Sequence, residues 1–153
     1  MNLKRLFFAA SILFFAAQAF SQGFDNLLEG LIRKQDYRSN RISSFDVTGE
    51  NRDFLSIEPG KTVTLAEING PAIIHHIWVT ISAEPFYGKK IVLRMYWDDE
   101  EQPSVEAPIG DFFGVGHGLN RNYASLPFVC TSEGRARNCF WQMPFKKSAR
   151  IEV

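Results

Sequence analysis

From Ser43 onward the sequence repeats with a period of two, in short apolar-polar runs cut by Gly, Pro, Asn and Asp, and that pattern constrains the fold more than any other feature. Residues 62–68 alternate after the turn Glu58-Pro59-Gly60-Lys61, 72–82 form a long β-branched run, and 90–97 alternate cleanly. Residues 126–131 and 138–143 give two further strands, and 149 onward begins another. Many short strands with turn-rich spacing and no intervening helices predict an all-β antiparallel sandwich or jelly roll, not βαβ units. The one helical pattern precedes this region: Phe24, Leu27, Leu28, Leu31 and Ile32 recur at helical spacing, with Asp25 early and Arg33 and Lys34 late, as the helix dipole prefers.

The amino-terminal end has a separate character. Lys4 and Arg5 precede an apolar run over residues 6–17, shorter than the ~20 residues a bilayer span needs, and small residues at 17, 19 and 21 fit a cleavage rule. The expected organisation is a signal peptide over 1–21, a helix and linker over 22–42, and a β domain over 43–153, in a protein that is exported to the periplasm or the extracellular space. No membrane association is expected after cleavage. About 130 residues then remain, enough for one core. Seventeen basic and seventeen acidic side chains balance, which disfavours electrostatic binding of nucleic acid. The fourteen Phe imply either a Phe-packed core or surfaces on which sugars stack. The chain ends on an alternating stretch, 146–153, with no turn signal after it; read as a final unpaired strand, it would leave a ragged edge, so further chain, or another chain, is expected there and the β domain reads as incomplete.

Several residues can carry chemistry. In the strand 73–81, Ile73, His75, Ile77, Val79 and Ile81 share one face and read as core; Ile74, His76, Trp78 and Thr80 share the other, which is either a polar cleft with a stacking indole or a core Trp beside a satisfied His. Asp98-Asp99-Glu100-Glu101 reads as a solvated turn. The loop 106–118 places four glycines around Asp111, Phe112, Phe113 and His117; it bends tightly and offers hydrogen bonds, but lacks the Lys-Ser/Thr ending of a phosphate loop. Metal binding has little support, since two of the three His, His75 and His76, are adjacent and point to opposite strand faces. No Gly-x-Ser-x-Gly occurs, and no cofactor is implied. Cys130 and Cys139 flank 132–136; a two-residue turn at Gly134-Arg135 would set them directly opposite, where they form a disulfide or remain two buried thiols. A glycosidase needs two carboxylates flanking the bond; Asp46, Asp53, Glu106 and Asp111 are the acids in ligand-like company, and spacing alone pairs none of them.

Taken together, the segments 42–53, Gly70-Pro71, His76-Ile77-Trp78, 93–98, 103–106, 110–114 and 138–145 resemble, in order, the family long called domain of unknown function 2961. The resemblance runs from about Leu27 to the end. That family is similar to glycoside hydrolase family 172, whose members act on furanosides, including α-D-fructofuranosides, difructose dianhydrides and D-arabinofuranosides. The resemblance implies a double jelly roll, of which this chain would be the first half, trimer-based homo-oligomers, and a retaining mechanism whose two catalytic glutamates lie beyond Val153. By it, none of the acids here is catalytic. The chain departs from the family at Asp46-Val47-Thr48-Gly49-Glu50-Asn51, where relatives carry Asp-Arg-Thr-Gly-Gly-Asn, so any contact made by that basic side chain is lost or moved. Residue types and resemblance combined give a substrate wall of Asp46, Asn51, Asp53, His76, Trp78, Asp111, Phe112, His117 and Trp141, expected to face a furanose-containing oligo- or polysaccharide. The alternative is a non-catalytic jelly-roll module that binds glycan or mediates assembly.

Overall fold

The computed structural model describes residues 34–153. The chain divides into two units, Met1–Arg41 and Ile42–Val153. The signal segment and the helix expected over 24–35 fall outside the described residues, save Lys34 and Gln35, which lie in no regular element.

Ten strands and two helical turns make up the second unit, a mostly β structure in which every strand pairing is antiparallel. Strands β1 (Thr64–Asn69), β4 (Val92–Trp97), β5 (Val105–Pro108) and β10 (Ser148–Glu152) form one sheet in the order β1-β10-β4-β5. Strands β3 (Ile77–Thr80), β6 (Tyr123–Ala124), β7 (Phe128–Thr131) and β8 (Ala136–Cys139) form a second, ordered β3-β8-β7-β6, and β2 (Ala72–Ile74) pairs with β9 (Met143–Phe145). The sheets pack together because alternation turns one face of each inward. Leu93, Met95 and Ile151 from the first, with Val153 just past its last strand, meet Cys130 and Cys139 from the second, with Ile77 and Val79 packed against them. Burying a side chain of this kind contributes about 1.5–3 kcal/mol.

The final strand corrects the expectation of an unpaired edge. β10 lies between β1 and β4, with Ile151 opposite Ala66 on one side and Met95 on the other, and Val153 exchanges backbone hydrogen bonds with Val63 at 2.8 and 3.0 Å. The pattern of alternation was legible, but its partners lie over fifty residues away and leave no local signal.

Two strands anticipated as continuous are interrupted, and opposite each other. β2 and β3 are separated by His75 and His76; β8 and β9 are separated by Phe140, Trp141 and Gln142. Ile74 pairs with Met143 and Ile77 with Cys139, so two residues face three across the gap, as in a bulge. The interruption switches which side chains face inward. Ile74 and Ile77 both pack on the core, and Ile73, expected inside, is 46% exposed.

The Cys130–Cys139 register also differs from expectation. Ser132 and Glu133 both take positive φ (52° and 60°), the Gly134 N–H donates to the Thr131 carbonyl at 2.9 Å, and Thr131 pairs with Ala136, so a four-residue loop over 132–135 replaces the two-residue turn and the hairpin is centred one residue earlier than Gly134-Arg135 would place it. Cys130 therefore pairs with Arg137, and Cys139 with Phe128. Both thiols are free and buried, and burial pushes each above the usual thiol range. No disulfide forms.

The helical turns α1 (Tyr87–Lys90) and α2 (Ile109–Phe112) meet at Gly88 and Gly110, where a Cβ on Gly110 would lie 3.0 Å from the Gly88 carbonyl oxygen. That backbone approach fixes the loop 113–120 beside α1.

Candidate functional site

The interruption between β2–β3 and β8–β9 is where apolar side chains leave the core. The His76 ring stacks on Phe140 with centroids 4.6 Å apart and planes 2° from parallel, and its Nε2 lies 3.0 Å from Asn138 Oδ1. Asn138 is the register partner of Trp78, and its Nδ2 donates to the Val129 carbonyl at 3.1 Å, which fixes the amide. An imidazole stacked on an exposed phenyl thus bonds a held amide, and the register partner of that amide is an indole 57% exposed. Trp141 is 59% exposed and meets Phe128 edge-on at 5.7 Å; Phe128 in turn meets Phe112 at 6.0 Å. Adjacent residues Phe140 and Trp141 therefore serve two different aromatic groups. Flat apolar rings beside hydrogen-bonding polar groups suit the C–H faces and hydroxyls of a sugar.

The other sequence candidates are placed elsewhere. Asp111 on α2 forms an ion pair with Lys89 of α1 at 2.5 Å, and its Oδ1 faces Gly116. His117 is exposed on the following loop at φ 60°. Asp46 and Asp53 organise their own loop: Asp46 accepts from the Thr48 hydroxyl and N–H and from the Arg52 N–H, and Asp53 accepts the Asp46 N–H at 2.7 Å. The Thr48 hydroxyl, with these backbone donors, holds the Asp46 carboxyl below the usual carboxylate range. Asn51 takes φ 63° at the tip. Glu106 is ion-paired to Arg94 at 2.6 Å. Among the described residues no cluster of three or more His, Cys, Asp or Glu is arranged to hold a metal.

A family model described as GH172 domain-like matches residues 47–153. The chain belongs to this family. No curated protein matches it. Membership relates the chain to the glycoside hydrolases and implies a carbohydrate substrate.

Within the GH172 domain, Asn138 bonds His76 and is the strand-register partner of Trp78, while Phe128 meets both Phe112 and Trp141; residue type alone nominated neither Asn138 nor Phe128. Asp46, Asn51 and Asp53 form a separate self-bonded turn. The signal for Asn138 was available in hindsight, as a strand polar residue beside the inward Cys139, but its partner His76 is 62 positions away. The acidic run at 98–101 is also more than a solvated turn. Asp98 accepts the N–H groups of Lys146 and Lys147 at 2.8 and 2.6 Å, and the Ser148 hydroxyl donates to Asp99.

Proposed function

We propose that this GH172 domain is the exported amino-terminal part of a retaining furanosidase, and that it contributes a sugar-binding wall while the catalytic glutamates are supplied from outside the chain. The observation that carries this is the exposure of Trp78, Phe140 and Trp141 at the interrupted strands, with His76 held by Asn138 beside them. A ring-stacking face for an oligosaccharide needs exposed, oriented rings, and these are oriented by stacking and register. Three of the candidate acids are engaged with nearby donors, Asp46 with Thr48, Asp111 with Lys89 and Glu106 with Arg94, which accords with a positioning role. Two four-stranded antiparallel sheets sharing one core support the jelly-roll half of the reading. A furanose-containing glycan, of the fructofuranoside or arabinofuranoside kind, is the proposed ligand, and a trimer-based homo-oligomer the proposed assembly.

Tryptophan fluorescence tests the wall. Titrating the protein with fructofuranosyl and arabinofuranosyl oligosaccharides is expected to give a saturable change that falls sharply in Trp78→Ala and Trp141→Ala. An unchanged titration in both variants would overturn the placement of the wall.

A further inference from the structure

We propose that the surface pocket beside α1 is a second sugar subsite that takes a carboxylate, with Arg137 as its buried counter-charge. Arg137 is fully buried, on the same strand face as the core thiol of Cys139. Its Nη2 donates to Asn120 Oδ1 at 2.9 Å, and its Nε and Nη1 have no hydrogen-bond partner. Beside it, the Tyr87 ring centroid is 5.6 Å from the guanidinium carbon, and the Tyr87 hydroxyl is likewise buried without a partner.

Buried guanidinium groups are normally paired, because desolvating an unpaired charge costs several kcal/mol. Arg137 forms no ion pair among the described residues: Asp111 pairs with Lys89 at 2.5 Å, and Glu84, at the surface, lies 3.8 Å from Lys90. Arg137 is held only by a neutral amide oxygen and a ring face, which leaves its Nε and Nη1, and the hydroxyl of the Tyr87 it packs on, without partners.

Both residues that touch the guanidinium, Tyr87 and Asn120, line a pocket of about 340 Å3 together with Glu84, Phe86 and Leu119 among others. Asn120 is exposed and lies between the pocket and Nη2. Turning its amide aside opens the guanidinium fork, and a planar carboxylate then engages Nη2 and Nη1 together, replacing a neutral acceptor by a charge-assisted pair. Phe86, 60% exposed, offers a flat face for a ring attached to that carboxylate. The ligand class is thus a sugar acid of the uronate type. The sugar part rests on the carbohydrate reading of the domain; the anion part rests on Arg137 alone.

Thermal unfolding of the full chain in D-glucuronate, D-glucose and acetate at matched ionic strength tests this. Glucuronate is expected to raise Tm saturably, acetate to do so more weakly, and glucose not at all. Arg137→Gln abolishes the response. Asn120→Asp places a carboxylate against Nη2; it is expected to raise the Tm of the free protein and weaken the glucuronate response about tenfold or more, in line with a charged hydrogen bond. This variant keeps the test decisive if Arg137→Gln does not fold. Phe86→Ala reduces the glucuronate response and leaves that of acetate. Equal responses to glucuronate and glucose, or a response indifferent to Asn120→Asp, overturn the proposal, and acetate matching glucuronate overturns its sugar part. A Tm that rises with protein concentration and ignores glucuronate assigns the site to an acidic side chain of another chain and overturns the sugar acid. The furanoside titration at Trp78 and Trp141 does not depend on Asn120, so the two proposals fail separately.

Discussion

The two long antiparallel ladders of this domain are put to different uses. In the β1-β10-β4 ladder the pairing runs to the chain's last residues with one irregularity, between Thr64 and Ala66, and the turn at one end is latched by Asp98. In the ladder built from β2–β3 and β8–β9 the pairing breaks where two residues face three, and aromatic side chains emerge. A continuous register keeps side-chain parity and hence burial; an interrupted one changes parity and turns residues of core type to solvent. The first ladder supports, and the second displays. Each prediction below separates stability from binding.

The largest effect is expected in the supporting ladder. Met95 is fully buried on β4, opposite Ile151 of β10 and Val105 of β5. Met95→Ala is expected to cost about 2–5 kcal/mol, from lost burial and the cavity left behind. Chemical denaturation checks this; a loss no larger than that of a surface substitution would break the assignment of β4 to the core.

Gly70 comes next. Its N–H donates to the Lys147 carbonyl at 2.6 Å, and an added Cβ would lie 3.0 Å from backbone atoms of both Lys146 and Lys147. Gly70→Ala is expected to cost about 1–3 kcal/mol through overpacking against backbone that cannot give way, with β10 shifted at its start. Amide exchange at Lys147 and Ser148 would report the shift.

Asp98 gives a smaller effect with a defined pH dependence. The backbone N–H of Lys147 is the main cause, with the Lys146 N–H, that holds its carboxyl below the usual carboxylate range. A native carboxyl more acidic than the unfolded one stabilises above the unfolded value, 3.8, and that contribution is lost as pH falls through the lowered native value. Asp98→Asn is therefore expected to lower Tm at neutral pH and to narrow its difference from the wild type below about pH 4. A constant difference down to pH 2 would remove the carboxylate from the latch.

How much of this was written in the sequence depends on how local each cause is. The period-two runs announced β1, β4, β7 and β10, because alternation is a property of consecutive residues. β5 was not anticipated; it is four residues long, ends in Pro108 and carries Glu106 outward to Arg94. The break at His75-His76 was hidden by an unbroken β-branched run, since it exists only against Phe140, Trp141 and Gln142. The hairpin register was misread because Ser132 and Glu133 occupy left-handed positions that Gly or Asn usually fill. Arg137 falls just before the strand expected over 138–143, and only the packing of Tyr87 and Asn120 around it reveals a buried charge. Residue type alone named His76, Trp78 and Trp141 as candidates for a sugar-facing wall; it did not name Asn138 and Phe128, which touch His76 and Trp141.

The smallest stability effect belongs to the displaying ladder and sharpens the contrast most. Phe140 is 48% exposed, and its contact with His76 is the parallel stack at 4.6 Å. Phe140→Ala is expected to change unfolding free energy by no more than about 0.5 kcal/mol, as at an ordinary surface position. It releases His76 from one of its two constraints while Asn138 remains, so the furanoside-induced fluorescence change is expected to weaken without vanishing. If Phe140→Ala instead destabilised the domain as much as Met95→Ala, the interrupted strands would be a second core seam and not a face built for a ligand.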